Sequence, residues 1–343
     1  MENLIEGKKI LITGGTGTLG QALARKIIQY RPEVVRIFSR DEAKQFELQD
    51  EFSSFRNIRF LLGDIRDKER VDRSMEGIDI VFHFAALKHV PACEYNPFEA
   101  IKTNILGTQN IIDTAMKHNV GRVIYTSSDK AISPTNTMGA SKLLAERLIS
   151  AADYYKGKIS TIFTAVRFGN VMGSRGSVIP FFKKQVSRGG PVTVTKPEMS
   201  RFMMSISDAL NLTLQAGEKS LGGEVFILKM PVIRLIDLAE IIIEEFAPSC
   251  GYSPQDIKIK VIGLRPGEKM YEELMTEEEA KIAVEFNDMF AVVPTYAERK
   301  YEYPGGRSVN RGTYSSHEIE PLDKKQLREL LYRENLLARR KKQ

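Results

Sequence analysis

Tryptophan is absent from this chain of 343 residues, and cysteine and histidine are scarce, with two and four copies. Cys93 and Cys250 stand too far apart in sequence to form a cluster, which excludes a disulfide framework and a zinc-type cysteine pair. His83 and His89 have no cysteine or acidic neighbour at ligand spacing, so no metal site is expected. No apolar run approaches the roughly 18 residues of a membrane span, and Met1-Glu-Asn leads into a strand without a signal-peptide pattern. The expectation is a cytoplasmic protein with no membrane partner. There is no internal repeat. The net charge is +6, but the positive residues are scattered apart from Arg339-Arg-Lys-Lys342, which argues against nucleic acid and suits a protein that binds small anionic ligands.

What the chain does have is an alternation of short apolar runs and helical patterns. Lys9-Ile-Leu-Ile-Thr13 reads as a buried strand, followed by Gly14-Gly-Thr-Gly17-Thr-Leu-Gly20 and a helical run from Gln21 to Ile28. Glycines 14, 17 and 20 let the backbone turn tightly and approach a pyrophosphate, whose charge meets the free N–H groups of the helix start. Gly14, Thr16, Gly17, Thr18, Leu19 and Gly20 are therefore candidate contacts of a dinucleotide cofactor. The second strand, Val34 to Phe38, ends in Ser39-Arg40, where an NAD site commonly carries an acidic residue. Arg40 pairs with a 2′-phosphate instead, so NADP is expected over NAD, with Ser39, Arg40 and Lys44 as phosphate ligands and Asp41 as a helix cap. A third strand leads into Gly63-Asp64-Ile65. A fourth, Asp79 to Phe84, ends at Ala85-Ala86, small residues that let a cofactor pass close.

Arg122-Val-Ile-Tyr125 opens a fifth strand that runs into Thr126-Ser-Ser-Asp-Lys130. In an open α/β sheet ligands bind beyond the carboxyl ends of the strands, so Ser128, Asp129 and Lys130 should face the crevice. Lys142 follows Met138 by four residues, one helical turn, which puts both on one face. With a sixth strand at Ile159 to Val166 the alternation specifies an α/β fold, a doubly wound parallel sheet with right-handed crossovers. The expected division is a dinucleotide-binding domain at residues 1–169 with a return strand at 223–229, and a smaller, discontinuous α/β substrate domain at 170–222 and 230–300. An arm and helix follow at 301–343. The helix from Leu235 to Phe246 is expected to keep Glu240, Glu244 and Glu245 in solvent. The irregular stretch from Tyr301 to Glu318, with a last helix from Asp323 to Arg340, is expected to reach a neighbouring subunit.

The serine, Asp-Lys and Met138-to-Lys142 spacing resembles the active site of the short-chain dehydrogenase/reductase family, in which a tyrosine stands where this chain has Met138. With Pro134-Thr-Asn ahead of Met138-Gly, the stretch is similar to the inverting UDP-N-acetylglucosamine 4,6-dehydratases of bacterial surface-sugar synthesis, in a branch where Met replaces Tyr. The resemblance implies a Rossmann-type lyase with tightly held NADP, acting on UDP-N-acetylglucosamine as a homo-oligomer. It implies adenine contacts from Asp64 and Ile65, and a cofactor- or substrate-facing Lys88 in Ala-Ala-Leu-Lys-His. It implies an Asn104 that steadies the active-site lysine, itself also a cofactor contact; the alternative is a buried polar residue tying helix to sheet. Asn170 and Arg175 of the Arg-Phe-Gly-Asn-Val loop, Arg201, and Arg265 and Glu268 of Arg-Pro-Gly-Glu-Lys become substrate ligands. In the implied reaction hydride leaves C4, water is lost across C5 and C6, and hydride returns to C6. Lys130 is matched to the base and Asp129 to the acid, with Ser128 and Lys142 completing the catalytic set. A thioether cannot take the C4 hydroxyl proton, so Lys142, Asp129 or an ordered water stand as alternatives, and Met138 packs. A UDP-sugar 4-epimerase or C5-epimerase, and a non-catalytic NADPH-binding protein, are the competing readings.

Overall fold

The computed structural model describes residues 1–295 and 300–337. The basic run Arg339–Lys342 and the last residues of the expected terminal helix lie outside them. The chain divides into two compact units.

The first unit comprises Met1–Phe168, Ser207–Lys229 and Met275–Thr313. Its parallel strands are β1 (Lys9–Thr13), β2 (Val34–Ser39), β3 (Ile58–Leu62), β4 (Ile80–His83), β5 (Arg122–Ser128) and β6 (Ile162–Phe168), in the order β6-β5-β4-β1-β2-β3. The chain winds outward from β1 through β3, then returns to the other side of β1 with β4. That reversal opens the crevice at the carboxyl ends of β1 and β4 where such sheets take ligands. Helices cover the sheet, and Ile10, Leu11, Ile12, Val81, Phe82, Val123 and Ile124 have no exposure, which is why these strands read as unbroken apolar runs.

Beyond β6 the sheet continues through Val225–Leu228, which is parallel to β6, and then the antiparallel strands Met289–Val292, Ala283–Glu285 and Arg307–Ser308. Among the described residues the sheet has ten strands. Residues 207–222 and 275–300 were expected in the substrate domain, and the compact unit draws them here instead. The helix Ile206–Lys219 packs on the sheet so closely that a β-carbon at Gly217 would lie 3.1 Å from Leu4 and 3.4 Å from Ile124. The first part of the arm is held by this unit: Tyr301 donates its hydroxyl to Gly222 O at 2.5 Å and Tyr303 to Glu224 Oε1 at 2.5 Å.

The second unit comprises Gly169–Ile206, Met230–Leu274 and the chain from Tyr314. Helices Val178–Val186, Leu235–Phe246 and Lys324–Arg333 enclose a core that includes Ile179, Phe182, Leu238, Ile242, Leu327 and Leu331. Glu240, Glu244 and Glu245 do not form a free solvated face. Lys324 pairs with Glu240, Arg328 with Glu244 and Glu245, and the Tyr332 hydroxyl donates to Glu245 at 2.6 Å. The acidic stripe is one half of a helix-to-helix contact whose basic half lies some 80 residues later, about the separation of Glu244 and Arg328.

Candidate active site

Gly14 adopts φ +66°, and a β-carbon there would lie 2.7 Å from Ala85 N. A β-carbon at Gly20 would lie 2.5 Å from Gly14 O. Only glycine lets the end of β1, the loop after β4 and the start of the helix Thr18–Ile27 approach this closely. That helix has Gly17 at its N-cap and no side-chain cap, and a helix start of this kind suits an anion.

The expected phosphate ligands have unequal surroundings. Ser39 is buried, its Oγ 2.7 Å from Thr16 Oγ1 and accepting from Asp41 N at 3.2 Å. Asp41 caps the helix Glu42–Glu51 by accepting from Lys44 N at 3.1 Å, and it also holds the Lys44 ammonium. Arg40 is more than half exposed, with Nη1 3.6 Å from Asp64 Oδ2. Burial pushes the Asp64 carboxyl up, but hydrogen bonds from Arg66, one of them 2.7 Å, outweigh it and hold the group below the usual range.

A cleft of about 130 Å³ is lined by Gly14, Arg40, Asp64, Ile65, Ala85 and Thr103, among others. Thr103 escaped the sequence reading. It sits in the π-helical turn Ile101–Leu106, and its buried hydroxyl has no partner, a condition that costs roughly 1–3 kcal/mol until something fills it. A glycine cradle and an unsatisfied hydroxyl in one cleft fit an adenine dinucleotide. The only sequence signal was a polar residue directly before Asn104. Asn104 is fully committed: it accepts from Leu87 N at 2.7 Å and donates to Leu87 O at 3.0 Å and to Ser141 Oγ at 2.9 Å. It ties the loop after β4 to the helix Thr137–Tyr155, while Lys88 on that loop is exposed.

At the end of β5, Ser128 donates its hydroxyl to Asp129 Oδ1 at 2.6 Å, and Lys130 Nζ lies 3.0 Å from Asp129 Oδ2. Asp129 is buried, whereas the Lys130 side chain keeps about a third of its surface open. The next helix begins at Thr137 because Asn136 caps it, accepting from Gly139 N at 2.8 Å. Any side chain at Gly139 would collide with the Lys130 carbonyl oxygen. Met138 is buried beside Cys93 and Ala100, with Leu87 and Val90 against them. Lys142 shares its face but turns inward, donating to Thr126 O at 2.5 Å above the Tyr125 ring at 4.3 Å. Burial lowers it to about 7, against an opposing pull from Glu146.

Glu146, one turn further on, meets Arg167 of β6 at 2.5 Å, and the same guanidinium holds Glu279 at 2.9 Å. Arg167 has no exposure at all.

In the second unit Asn170 donates to Glu272 Oε2 at 2.7 Å and to Phe202 O at 3.1 Å. Arg201 reaches Glu272 Oε1 at 3.3 Å, Ser200 O at 2.7 Å and Lys269 O at 2.9 Å. Two residues read as substrate ligands are thus brought together on a carboxylate that the sequence reading passed over. Arg265 and Glu268 close a turn, with Glu268 N donating to Arg265 O at 3.0 Å. The Arg265 side chain and Arg175 are exposed.

Among the described residues no helix is long and apolar enough to cross a membrane, and no group of three or more His, Cys, Asp or Glu side chains could hold a metal ion. A doubly wound sheet with a glycine cradle after its first strand, and Ser-Asp-Lys leading to a lysine-bearing helix after its fifth, defines an enzyme of the extended short-chain dehydrogenase/reductase class. A family model described as polysaccharide biosynthesis protein matches residues 10–294, and the chain belongs to that family. The chain is 50% identical over 331 residues to an uncharacterized membrane protein of Methanocaldococcus jannaschii, covering 96% of this chain and 97% of that one. It is 42% identical over 294 residues to an inverting UDP-N-acetylglucosamine 4,6-dehydratase of Campylobacter jejuni, covering 85% and 84%. It is 39% identical over 334 residues to a UDP-glucose 4-epimerase of Rickettsia canadensis, covering 94% and 95%. The X-ray structure of Pen from Bacillus thuringiensis has a TM-score of 0.92 and 52% identity, covering 97% and 99%.

Proposed function

We propose that this enzyme is a C5-inverting UDP-N-acetylglucosamine 4,6-dehydratase that uses NADP and serves surface-polysaccharide or glycan sugar synthesis. The observation that carries the reading is the Asp129–Lys130 pair, a carboxylate and an ammonium 3.0 Å apart at the carboxyl end of β5. Elimination of water needs one base and one acid. A proton shift within the pair, from Lys130 to Asp129, arms both at no change in net charge. Lys130 then takes the C5 proton, Asp129 protonates the departing C6 hydroxyl, and the Ser128 hydroxyl steadies the Asp129 carboxylate. The nicotinamide, when bound, supplies the hydride acceptor for C4 and the hydride that C6 receives.

Met138 packs and takes no proton. Lys142, at about 7, has the proton affinity suited to the C4 hydroxyl at neutral pH. It must be neutral to accept, so kcat/KM should rise with pH through about 7 and fall roughly tenfold per unit below it. A rate profile flat between about pH 6 and 8 removes Lys142 from this role.

For the cofactor, the exposed Arg40 guanidinium at the cleft supports NADP. Arg40→Asp should move relative affinity toward NAD by roughly 10- to 100-fold, the worth of a charged hydrogen bond. Equal preference before and after the change, measured by calorimetry, removes the assignment. Lys88, Asn170, Arg175, Arg265 and Glu268 remain the proposed UDP-sugar ligands, with Arg201 acting through Glu272. A homo-oligomer is supported by the exposed apolar side chains of Tyr95, Phe98, Leu106 and Leu144.

The deciding experiment is incubation of the pure enzyme with UDP-N-acetylglucosamine and no added reductant. A product lighter by one water, with a methyl group at C6, is expected. A product of unchanged mass that differs at C4 or C5 installs the epimerase reading, which the Rickettsia relative favours. A protein that binds the cofactor and converts no UDP-sugar is the non-catalytic case.

A further inference from the structure

His83 ends β4 with no exposure, and the catalytic scheme makes no use of it. Its Nδ1 is 2.6 Å from Thr13 Oγ1, the last side chain before the glycine cradle, and its Nε2 is 3.1 Å from Thr108 Oγ1. Thr108 spends its single hydroxyl proton on Asn104 O at 2.7 Å, so toward His83 it can only accept. The ring proton therefore sits on Nε2, and Nδ1 must accept the Thr13 hydroxyl proton. Thr13 Oγ1 in turn accepts from Ala85 N at 3.4 Å. A second ring proton would face a Thr13 oxygen whose own hydrogen had lost its acceptor.

The surroundings oppose that second proton. Burial pushes the imidazole down to about 3, and the Lys142 ammonium adds to the shift. The Tyr125 ring is 5.5 Å from the imidazole and 4.3 Å from that ammonium. Both hydrogen-bonding neighbours on β1 and on the helix Gly107–Lys117 are threonines, which carry no charge.

Followed outward, the bonds form one line. It runs from Ala85 and Thr13 through His83 and Thr108 to Asn104, whose side chain holds Leu87 and Ser141; Ser141 donates to Met138 O at 2.7 Å. We propose that His83 is a positioning residue, a permanently neutral imidazole protonated on Nε2 that fixes the glycine cradle relative to the helix carrying Met138 and Lys142. This rests on the reading of the cradle as a dinucleotide site. Its two arms have separate tasks. The Nδ1 arm holds the cradle, and the Nε2 arm holds the loop and helix through Thr108 and Asn104.

An asparagine carbonyl takes the place of Nδ1 and a glutamine amide that of Nε2, so the two substitutions cut different arms. His83→Gln keeps the Thr108 bond and loses the Thr13 bond: NADPH affinity, read by calorimetry and nucleotide fluorescence, is expected to fall about tenfold with the UDP-sugar KM unchanged. His83→Asn keeps the Thr13 bond: NADPH affinity is expected to stay within about twofold while kcat falls about tenfold. Equal effects of the two variants on both quantities overturn the proposal. If neither variant folds, nitrogen-15 NMR of the wild-type imidazole decides, since a proton on Nδ1, or a ring that titrates between about pH 5 and 8, overturns it equally. Failure of the wild-type protein to bind any adenine dinucleotide refutes the cofactor site itself, and leaves the tautomer measurement as an independent test of His83.

Discussion

Lys130→Ala is expected to slow the loss of water by roughly 10²- to 10⁴-fold, the usual worth of a positioned acid or base, with cofactor affinity unchanged. Asp129→Asn should cost a similar amount, because an amide cannot protonate the leaving hydroxyl. Run in deuterium oxide, the wild-type enzyme should place solvent deuterium at C5, since Lys130 exchanges its proton with water, while the hydrogen moved from C4 to C6 remains substrate-derived. Met138→Leu should change the rate by less than about threefold, since an isosteric apolar swap in a packed site is mild. NMR of the product reads all of these. If Lys130→Ala turns over at the wild-type rate, elimination does not run through the Asp129–Lys130 pair.

Arg167→Met should destabilise the fold by about 3–5 kcal/mol, the cost of leaving buried charge without its partner. Glu146 and Glu279 both meet that guanidinium, and their carboxylates would then face each other in the interior. The urea midpoint should fall with little change in slope, and the combined replacement of Arg167, Glu146 and Glu279 by apolar residues should recover most of the loss. For Glu279, burial raises the carboxyl and the Arg167 charge more than reverses it, so its proton affinity is below the ordinary value. Its contribution is complete above the usual glutamate range and is lost as pH falls through the lowered value. The substitution also reaches the chemistry. Glu146 pulls the Lys142 proton affinity upward, and with Arg167 gone its charge acts uncompensated, so the pH at which the rate rises should move higher. A variant as stable as wild type would mean that water reaches the triad.

The parallel half of the sheet could be read from the chain because buried strands such as Ile10-Leu-Ile12 and Val123-Ile124 are apolar on both faces and are punctuated by the glycines and alanines of the cofactor crevice. The antiparallel return could not. Ala283–Glu285 and Met289–Val292 are three and four residues long, too short for a periodicity to appear, and what marks them is the pairing of Met289–Val292 with Val225–Leu228 and of Ala283–Glu285 with Met289–Val292. The same holds for Glu240, Glu244 and Glu245, whose partners on the terminal helix no local pattern announces. In the site, Ser128, Asp129, Lys130 and Lys142 were visible because their chemistry is unusual at a strand end. Thr103 and Glu272 were not, because a threonine within a helical pattern and a glutamate in a charged loop look ordinary until burial and hydrogen bonds are known.

The collision that any side chain at Gly139 would make with the Lys130 carbonyl bears on how the enzyme moves. Backbone packs directly on backbone here, with no side chain between to yield. The contact predicts that the loop bearing Asp129 and Lys130 and the helix bearing Lys142 move together, and hydrogen exchange checks it: the amides of Gly139 to Lys142 should exchange slowly for the first turn of a helix.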